Sequence, residues 1–249
     1  MTDLESGRRR VWGPWATIGF TLFIVVVQFI VQTLFAGVYV VAFGYGSRPA
    51  QWIQAAGDLS SDGLFLGLAM LVSSPIAIGL MTVFIWLRRG PRLRDYLALR
   101  SAGWRVTLKW LGYTLLLMFA LALVSYAFGK EQSLEWMVRI YRETTFVPVL
   151  IAALVVAAPL VEELVFRGFL YEGLTHTRIG PAGAILVGSF AWSCLHVQYD
   201  LFFIGQVFVL GLLFGAARYR TGSLWVPIAM HALNNGVAVW MLAVEAAAG

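Results

Sequence analysis

AAPLVEELVFRGFLYEG, residues 157–173, places two acids and a base inside an apolar run. Glu162, Glu163 and Arg167 interrupt that run, and apolar residues resume directly after them. A charged side chain at the centre of a bilayer costs about 3 kcal/mol on insertion scales. Such a residue usually faces the interior of a helical bundle and marks a functional position. The segment therefore predicts a membrane helix with a polar inner face.

The whole chain has the composition of a membrane protein. Of its 249 residues, 60% are hydrophobic and 12% are charged, whereas a soluble domain has about 25% charged residues. The mean hydropathy is +0.79. We expect an all-α, polytopic transmembrane bundle in a lipid bilayer, with no room for a sizeable soluble domain. The single cysteine, Cys194, excludes an internal disulfide.

Seven stretches reach or approach the length of about 20 apolar residues that a membrane helix needs. We therefore predict seven helices, within a range of six to eight. They are Trp15–Phe43, Gly63–Leu87, Leu108–Phe128, Phe146–Leu174, Ala182–Val197, Leu201–Ala217 and Leu224–Ala247. The fifth and sixth are short and predict a tight helical hairpin. Residues 1–107 are expected to form N-terminal membrane helices with a basic cytoplasmic loop, and residues 108–249 a core whose motifs lie within 146–240.

The basic residues predict the orientation, because Lys and Arg concentrate in short cytoplasmic loops. With seven helices, one side receives Arg8, Arg9, Arg10, Arg88, Arg89, Arg92, Arg94, Arg100, Arg105, Lys109, Arg178, Arg218 and Arg220. The other side receives Arg48, then Lys130, Arg139 and Arg142 offset by Glu131, Glu135 and Glu143. We expect a cytoplasmic N-terminus and an outer C-terminus. Short termini without a nuclear or organellar signal predict a bacterial plasma membrane. A formal charge of +5 placed in membrane-flanking loops does not predict a nucleic-acid partner.

The spacing of the three charges separates their roles. Glu163 and Arg167 are four residues apart, so they share a helix face and can form an ion pair. Glu162 is five residues from Arg167, which turns it by about 140° around an α-helix. We therefore expect Arg167 to neutralise Glu163 and to leave Glu162 as the free carboxylate, as a general base would be.

Two further polar groups lie in predicted membrane helices. His196 is placed on the fifth helix with Trp192 one turn before it, and His231 and Asn235 are four residues apart on the last helix, with Asn234 beside them. Each group has a structural alternative: the ion pair could hold helices together, a lone histidine could bond a neighbouring helix, and Trp192 could be packing. His176 and Glu172 are expected to be interfacial and not catalytic. The combination of these groups on three helices favours a site.

The motif order Glu162-Glu163-x-x-x-Arg167, Trp192-x-x-x-His196 and His231-x-x-x-Asn235 resembles the CPBP family. This family contains the type II CAAX prenyl endopeptidases and is also called abortive-infection-like. Its pattern is EExxxR, FxxxH and HxxxN/D, and the resemblance covers about Phe146 to Trp240. Trp192 stands where the family commonly has Phe.

The resemblance implies an α-helical intramembrane protease, a hydrolase commonly called a metalloprotease, with a cavity open toward the cytoplasm. By position, Glu162 and His196 would activate the attacking water, and His231 and Asn235 would bind the oxyanion. Glu163, Arg167 and Trp192 would support them. Zn²⁺ stays an open cofactor, because Glu162, His196 and His231 could hold it with water in the fourth place. Yet the pattern is not HExxH, and a glutamate-activated water without metal is also adequate.

Two other functions stay open. A non-catalytic immunity or scaffolding protein would keep the same fold, but here every motif position is filled. A transporter or proton relay would need polar residues in both halves of the membrane, and the first three helices hold only scattered ones. The expected substrate is a peptide or membrane protein cut near the cytoplasmic face. Its identity, its prenylation and the oligomeric state are not predicted.

Overall fold

A computed structural model describes residues 11–42, 57–130 and 135–248. Within these ranges the chain forms helices and no strands. The predicted all-α class is therefore confirmed. Five charges used for the orientation lie outside the described residues, namely Arg8, Arg9, Arg10, Arg48 and Glu131.

The described ranges contain nine helices, labelled in chain order. They are α1 (Pro14–Ala42), α2 (Gly63–Leu87), α3 (Leu93–Tyr96), α4 (Trp104–Ala127), α5 (Glu135–Glu143), α6 (Val147–Thr175), α7 (Gly180–Ser193), α8 (Leu201–Thr221) and α9 (Trp225–Ala248). Among the described residues, six are long and apolar enough to span a membrane: α1, α2, α4, α6, α8 and α9. The protein is thus a multi-pass membrane protein, and six of the seven predicted stretches are such helices.

The fifth predicted stretch differs from the structure. α7 has 14 residues, a length of about 21 Å against a hydrocarbon core of about 30 Å. It begins at Gly180, which adopts a positive φ of 61°, and it ends at Ser193. α8 begins after Asp200, whose carboxylate accepts a hydrogen bond from the N–H of Phe203 at 3.0 Å. Because α7 stops early, His196 lies in the connection to α8 and not on a helix.

α6 is one long helix with two wide turns. It runs as α-helix over Val147–Ile151, as π-helix over Ala152–Ala157, as α-helix over Ala158–Glu163, as π-helix over Leu164–Leu170 and as α-helix over Tyr171–Thr175. π turns inside α-helices are rare and occur frequently at functional sites. Here they flank the short segment that ends with the two adjacent glutamates.

The described residues fall into two compact units. The first consists of 11–24, 78–107 and 162–227. In it the indole of Trp12 donates to the carbonyl of Phe84 at 2.9 Å, and the N–H of Leu224 donates to the carbonyl of Ala98 at 2.9 Å. Phe169 and Phe214 are fully buried in its core. Long-range contacts of this kind hold α1, α2, α6, α8 and the loop around α3 together in this unit.

The second unit consists of the described residues within 25–77, 108–161 and 228–249. Its contacts include a hydrogen bond from the hydroxyl of Tyr39 to Asp62 at 2.8 Å. The guanidinium of Arg142 on α5 donates to the carbonyls of Glu245 and Ala246 at 3.1 Å each, which satisfies groups that a helix end leaves without partners. The predicted division of the chain at residue 107 stays a prediction.

Candidate active site

The ion pair predicted from the four-residue spacing is present. The guanidinium of Arg167 donates to Glu163 at 2.9 Å, and both side chains are buried. Arg167 also donates to the carbonyl of Gly211 at 3.2 Å and lies 4.5 Å over the ring of Trp192. Gly211 has to be small, because a Cβ there would come within 2.9 Å of the Cβ of Ser189. The close approach of α8 to α6 therefore brings the carbonyl of Gly211 within hydrogen-bond distance of the buried guanidinium of Arg167.

Glu162 is not the free carboxylate that the spacing predicted. Its Oε2 accepts a hydrogen bond from the indole N–H of Trp192 at 2.5 Å. The prediction that Glu162 turns away from Arg167 agrees with this contact, but the partner lies 30 residues along the chain. Spacing within one helix cannot reveal such a partner, and Trp192 was therefore predicted only as a supporting residue.

His196 follows Trp192 in the connection after α7. Its Nδ1 lies 3.0 Å from the main-chain carbonyl of Trp192, and the two rings meet edge to face at 5.0 Å between centroids. A carbonyl oxygen can only accept, so Nδ1 has to carry the proton in this contact. In a neutral imidazole the basic nitrogen is then Nε2. The structure thus brings three predicted residues together: Glu162, Trp192 and His196.

His231 and Asn235 lie one turn apart on α9. His231 is 2% exposed. The amide of Asn235 donates to the carbonyl of Leu154 at 2.8 Å, and its oxygen accepts from the amide of Asn234 at 3.1 Å. These two bonds fix which end of the Asn235 amide is the donor. Leu154 lies in the first π segment of α6, so a wide turn supplies the acceptor for a predicted site residue.

Metal binding was left open by the sequence. Across residues 11–42, 57–130 and 135–248, no three side chains of the His, Cys, Asp and Glu types are grouped so that they could hold a metal ion. Zinc binding by Glu162, His196 and His231 therefore stays a prediction.

A second group of buried charges was missed by the sequence analysis. Arg218 was assigned to a loop, but it lies inside α8 and is 5% exposed. It donates to Glu172 at 3.4 Å and to the carbonyl of Arg167, in the second π segment, at 3.1 Å. Glu172 is buried, and His176 lies 3.2 Å from it. The four-residue spacing of Glu172 and His176 was a signal for part of this group.

The chain is thus a helical multi-pass membrane protein with charged side chains inside a span. Residues 144–237 match the family described as Type II CAAX prenyl endopeptidase Rce1-like. The match contains Glu162, His196, His231 and Asn235, and it confirms the resemblance for this part of the chain. It implies the fold of a CAAX-protease-type intramembrane endopeptidase. The comparisons with curated proteins and with solved structures found no match.

Proposed function

We propose that the protein is an intramembrane endopeptidase that hydrolyses a peptide bond of a membrane-associated protein or peptide. The observation that carries the proposal is the contact chain from Glu162 through Trp192 to His196, within the segment that matches a family of endopeptidases. Two potential proton acceptors on separate elements are connected through a single residue. The neighbouring acid, Glu163, is occupied by Arg167 and has a structural role.

Water is the attacking group in this proposal. Glu162 and His196 take its proton, as a general base must in a hydrolase. His231 and Asn235 donate hydrogen bonds to the oxyanion, because donors aimed at developing charge give a large part of the rate of acyl transfer. This role follows from the motif His231-x-x-x-Asn235. The Asn235 amide carries two N–H groups, and Leu154 accepts one of them.

The proposed location is the plasma membrane of a bacterium, with the N-terminus in the cytoplasm. The depth of Glu162 supports cleavage near the cytoplasmic face, since it lies 16 residues after Phe146. That distance is about 24 Å along the helix. The proposed substrate is defined by its peptide bond, and prenylation is not part of the proposal.

Glu162→Gln tests the proposal. The substitution keeps size and a hydrogen-bond acceptor for Trp192 but removes the base, so cleavage should stop while the protein still inserts and folds. Membrane proteomics of cells with wild type and with Glu162→Gln identifies the protein that accumulates uncut. Glu245→Gln is the matched control. It also replaces a carboxylate by a carboxamide, but at an exposed residue near the end of α9, so cleavage should stay normal. If no protein accumulates uncut in cells with Glu162→Gln, the proposal is wrong and a non-catalytic scaffolding or immunity function is left.

The role of metal is tested with the purified protein and the substrate so identified. We expect activity to survive chelator, His196→Ala to abolish turnover, and Asn235→Ala to lower kcat by roughly 10²–10³ with little change in substrate binding. Stoichiometric zinc that is lost in His196→Ala, with activity restored by added Zn²⁺, would contradict the metal-free mechanism.

A further inference from the structure

Trp192 contacts both residues that are proposed to activate water. Its indole N–H donates to the carboxylate of Glu162, and its main-chain carbonyl accepts from Nδ1 of His196. The side chain is buried. One residue at the end of α7 therefore bonds to side chains on α6 and in the α7–α8 connection.

The ring of Trp192 is itself held in place. The guanidinium of Arg167 lies 4.5 Å over its face, and the ring of Phe214 on α8 lies 5.9 Å away. Arg167 is fixed in turn by Glu163 and by the carbonyl of Gly211. The structural ion pair thus fixes the plane of the indole, and the indole directs its N–H at Glu162.

A phenylalanine at this position would fill similar space but could not form the bond to Glu162. Indole Nε1–H is a donor, whereas a phenyl ring has no hydrogen-bonding group. The departure of this chain from the common FxxxH pattern is therefore a chemical difference and not only an exchange of one aromatic ring for another.

We propose that Trp192 is a positioning residue that orients the Glu162 carboxylate toward the attacking water, with Glu163 and Arg167 holding the indole. This inference rests on the proposed endopeptidase function. Orientation of a base matters because a misplacement of about 1 Å can cost 10²-fold in rate. Trp192 does not touch the substrate and forms no bond in the reaction.

Trp192→Phe removes the N–H and keeps an aromatic ring and the carbonyl that accepts from His196. We expect kcat to fall about tenfold, KM to stay unchanged and the thermal unfolding midpoint in detergent to stay close to that of wild type. The assay uses a fluorogenic peptide that spans the cleavage site found in the Glu162→Gln comparison. Trp240→Phe is the matched control, because Trp240 is 66% exposed on α9, and its kcat should equal that of wild type.

A double-mutant cycle with Glu162→Asp distinguishes positioning from packing. The aspartate is one methylene shorter and withdraws from the indole, so Trp192→Phe should change kcat less than twofold in that background. Equal losses in both backgrounds would mean that the two residues act independently, and the inference would be wrong. A loss of kcat accompanied by a matching loss of thermal stability would also contradict it.

The hydrogen bond has a readout that does not need activity. The ultraviolet resonance Raman spectrum of wild type minus that of Trp192→Phe isolates the indole N–H band of Trp192. This band should shift when Glu162 is replaced by Leu, because the acceptor is then lost. An unshifted band would show that the bond is absent and would overturn the inference. Failure of the endopeptidase proposal would look different, since cells with Glu162→Gln would then accumulate no uncut protein, whatever the Raman band shows.

Discussion

Two adjacent carboxylates of α6 have different surroundings. Glu163 is fully buried and bonds to Arg167 on the same helix, whereas Glu162 accepts from Trp192 on α7. Neighbouring residues of a helix point about 100° apart, so the two acids have different partners. This separation allows one acid to have a structural role while the other is available for chemistry.

Glu163→Gln should destabilise the protein by about 3–5 kcal/mol, because it leaves the charge of Arg167 buried without its counter-ion. The measurement is the free energy of unfolding in mixed micelles. Activity per folded molecule should fall much less than in Glu162→Gln.

The double variant Glu163→Gln/Arg167→Met is the control for this prediction. Replacing both partners of a buried pair by uncharged groups is often nearly neutral, so stability should recover in part. If Glu163→Gln is well folded but inactive, and Glu162→Gln is active, the roles of the two acids are reversed.

At the residue scale, contacts within one helix turn were predictable and contacts between helices were not. The Glu163–Arg167 pair followed from a spacing of four. The partner of Glu162 and the burial of Arg218 depend on how α7 and α8 pack against α6. Arg218 was read as a loop charge because it follows the apolar run, but α8 continues to Thr221.

At the scale of the elements, each of the two wide turns of α6 is bonded to another helix. The carbonyl of Leu154 accepts from Asn235 on α9, and the carbonyl of Arg167 accepts from Arg218 on α8. Each π segment thus contains a main-chain acceptor used by a side chain of another helix. Apolar periodicity predicted a continuous helix over Phe146–Leu174, but it contains no signal for a change in hydrogen-bond pattern.

Gly211→Ala should destabilise the packing of α8 on α6 and α7 by about 1–3 kcal/mol, the usual cost of overpacking. The added Cβ would lie 2.9 Å from the Cβ of Ser189 and 3.0 Å from the guanidinium of Arg167. Thermal unfolding in detergent measures the effect. Gly205→Ala on the same helix is the matched control, because nothing lies within 4 Å of a Cβ there. It should be neutral or stabilising, and equal losses in both variants would show that helix flexibility, and not contact, is responsible.

At the scale of the whole molecule, the expected sides of the membrane for the two ends depend on how the short α7 is counted. In the described part of the chain six helices are long enough to cross, and alternation of these six alone would place both ends on the same side. α7 packs along α8, and the two helices form a hairpin. Counting this hairpin as two crossings gives seven crossings in all. We therefore expect the N-terminus in the cytoplasm and the C-terminus outside.

Cysteine labelling of intact and permeabilised cells measures this topology. Thr2→Cys and Ala248→Cys are placed one at a time in a Cys194→Ser background, since Cys194 is the only native thiol. A membrane-impermeant maleimide should label position 248 in intact cells and position 2 only after permeabilisation. Labelling of both positions under the same condition would mean that α7 and α8 count as one crossing.

The wide turn at Ala152–Ala157 also has a genetic consequence. A π turn spans one more residue than an α turn between bonded groups, so an in-frame loss of one codon there would restore an ordinary α-helix. The shortened allele would keep its apolar character and its ability to insert. Because the wide turn absorbs the extra residue, the helix on either side of the lost codon would keep its register, but the carbonyl of Leu154 that accepts from Asn235 would return to the regular hydrogen-bond ladder of the helix. Such an allele would behave as a loss-of-function mutation although no site residue is changed.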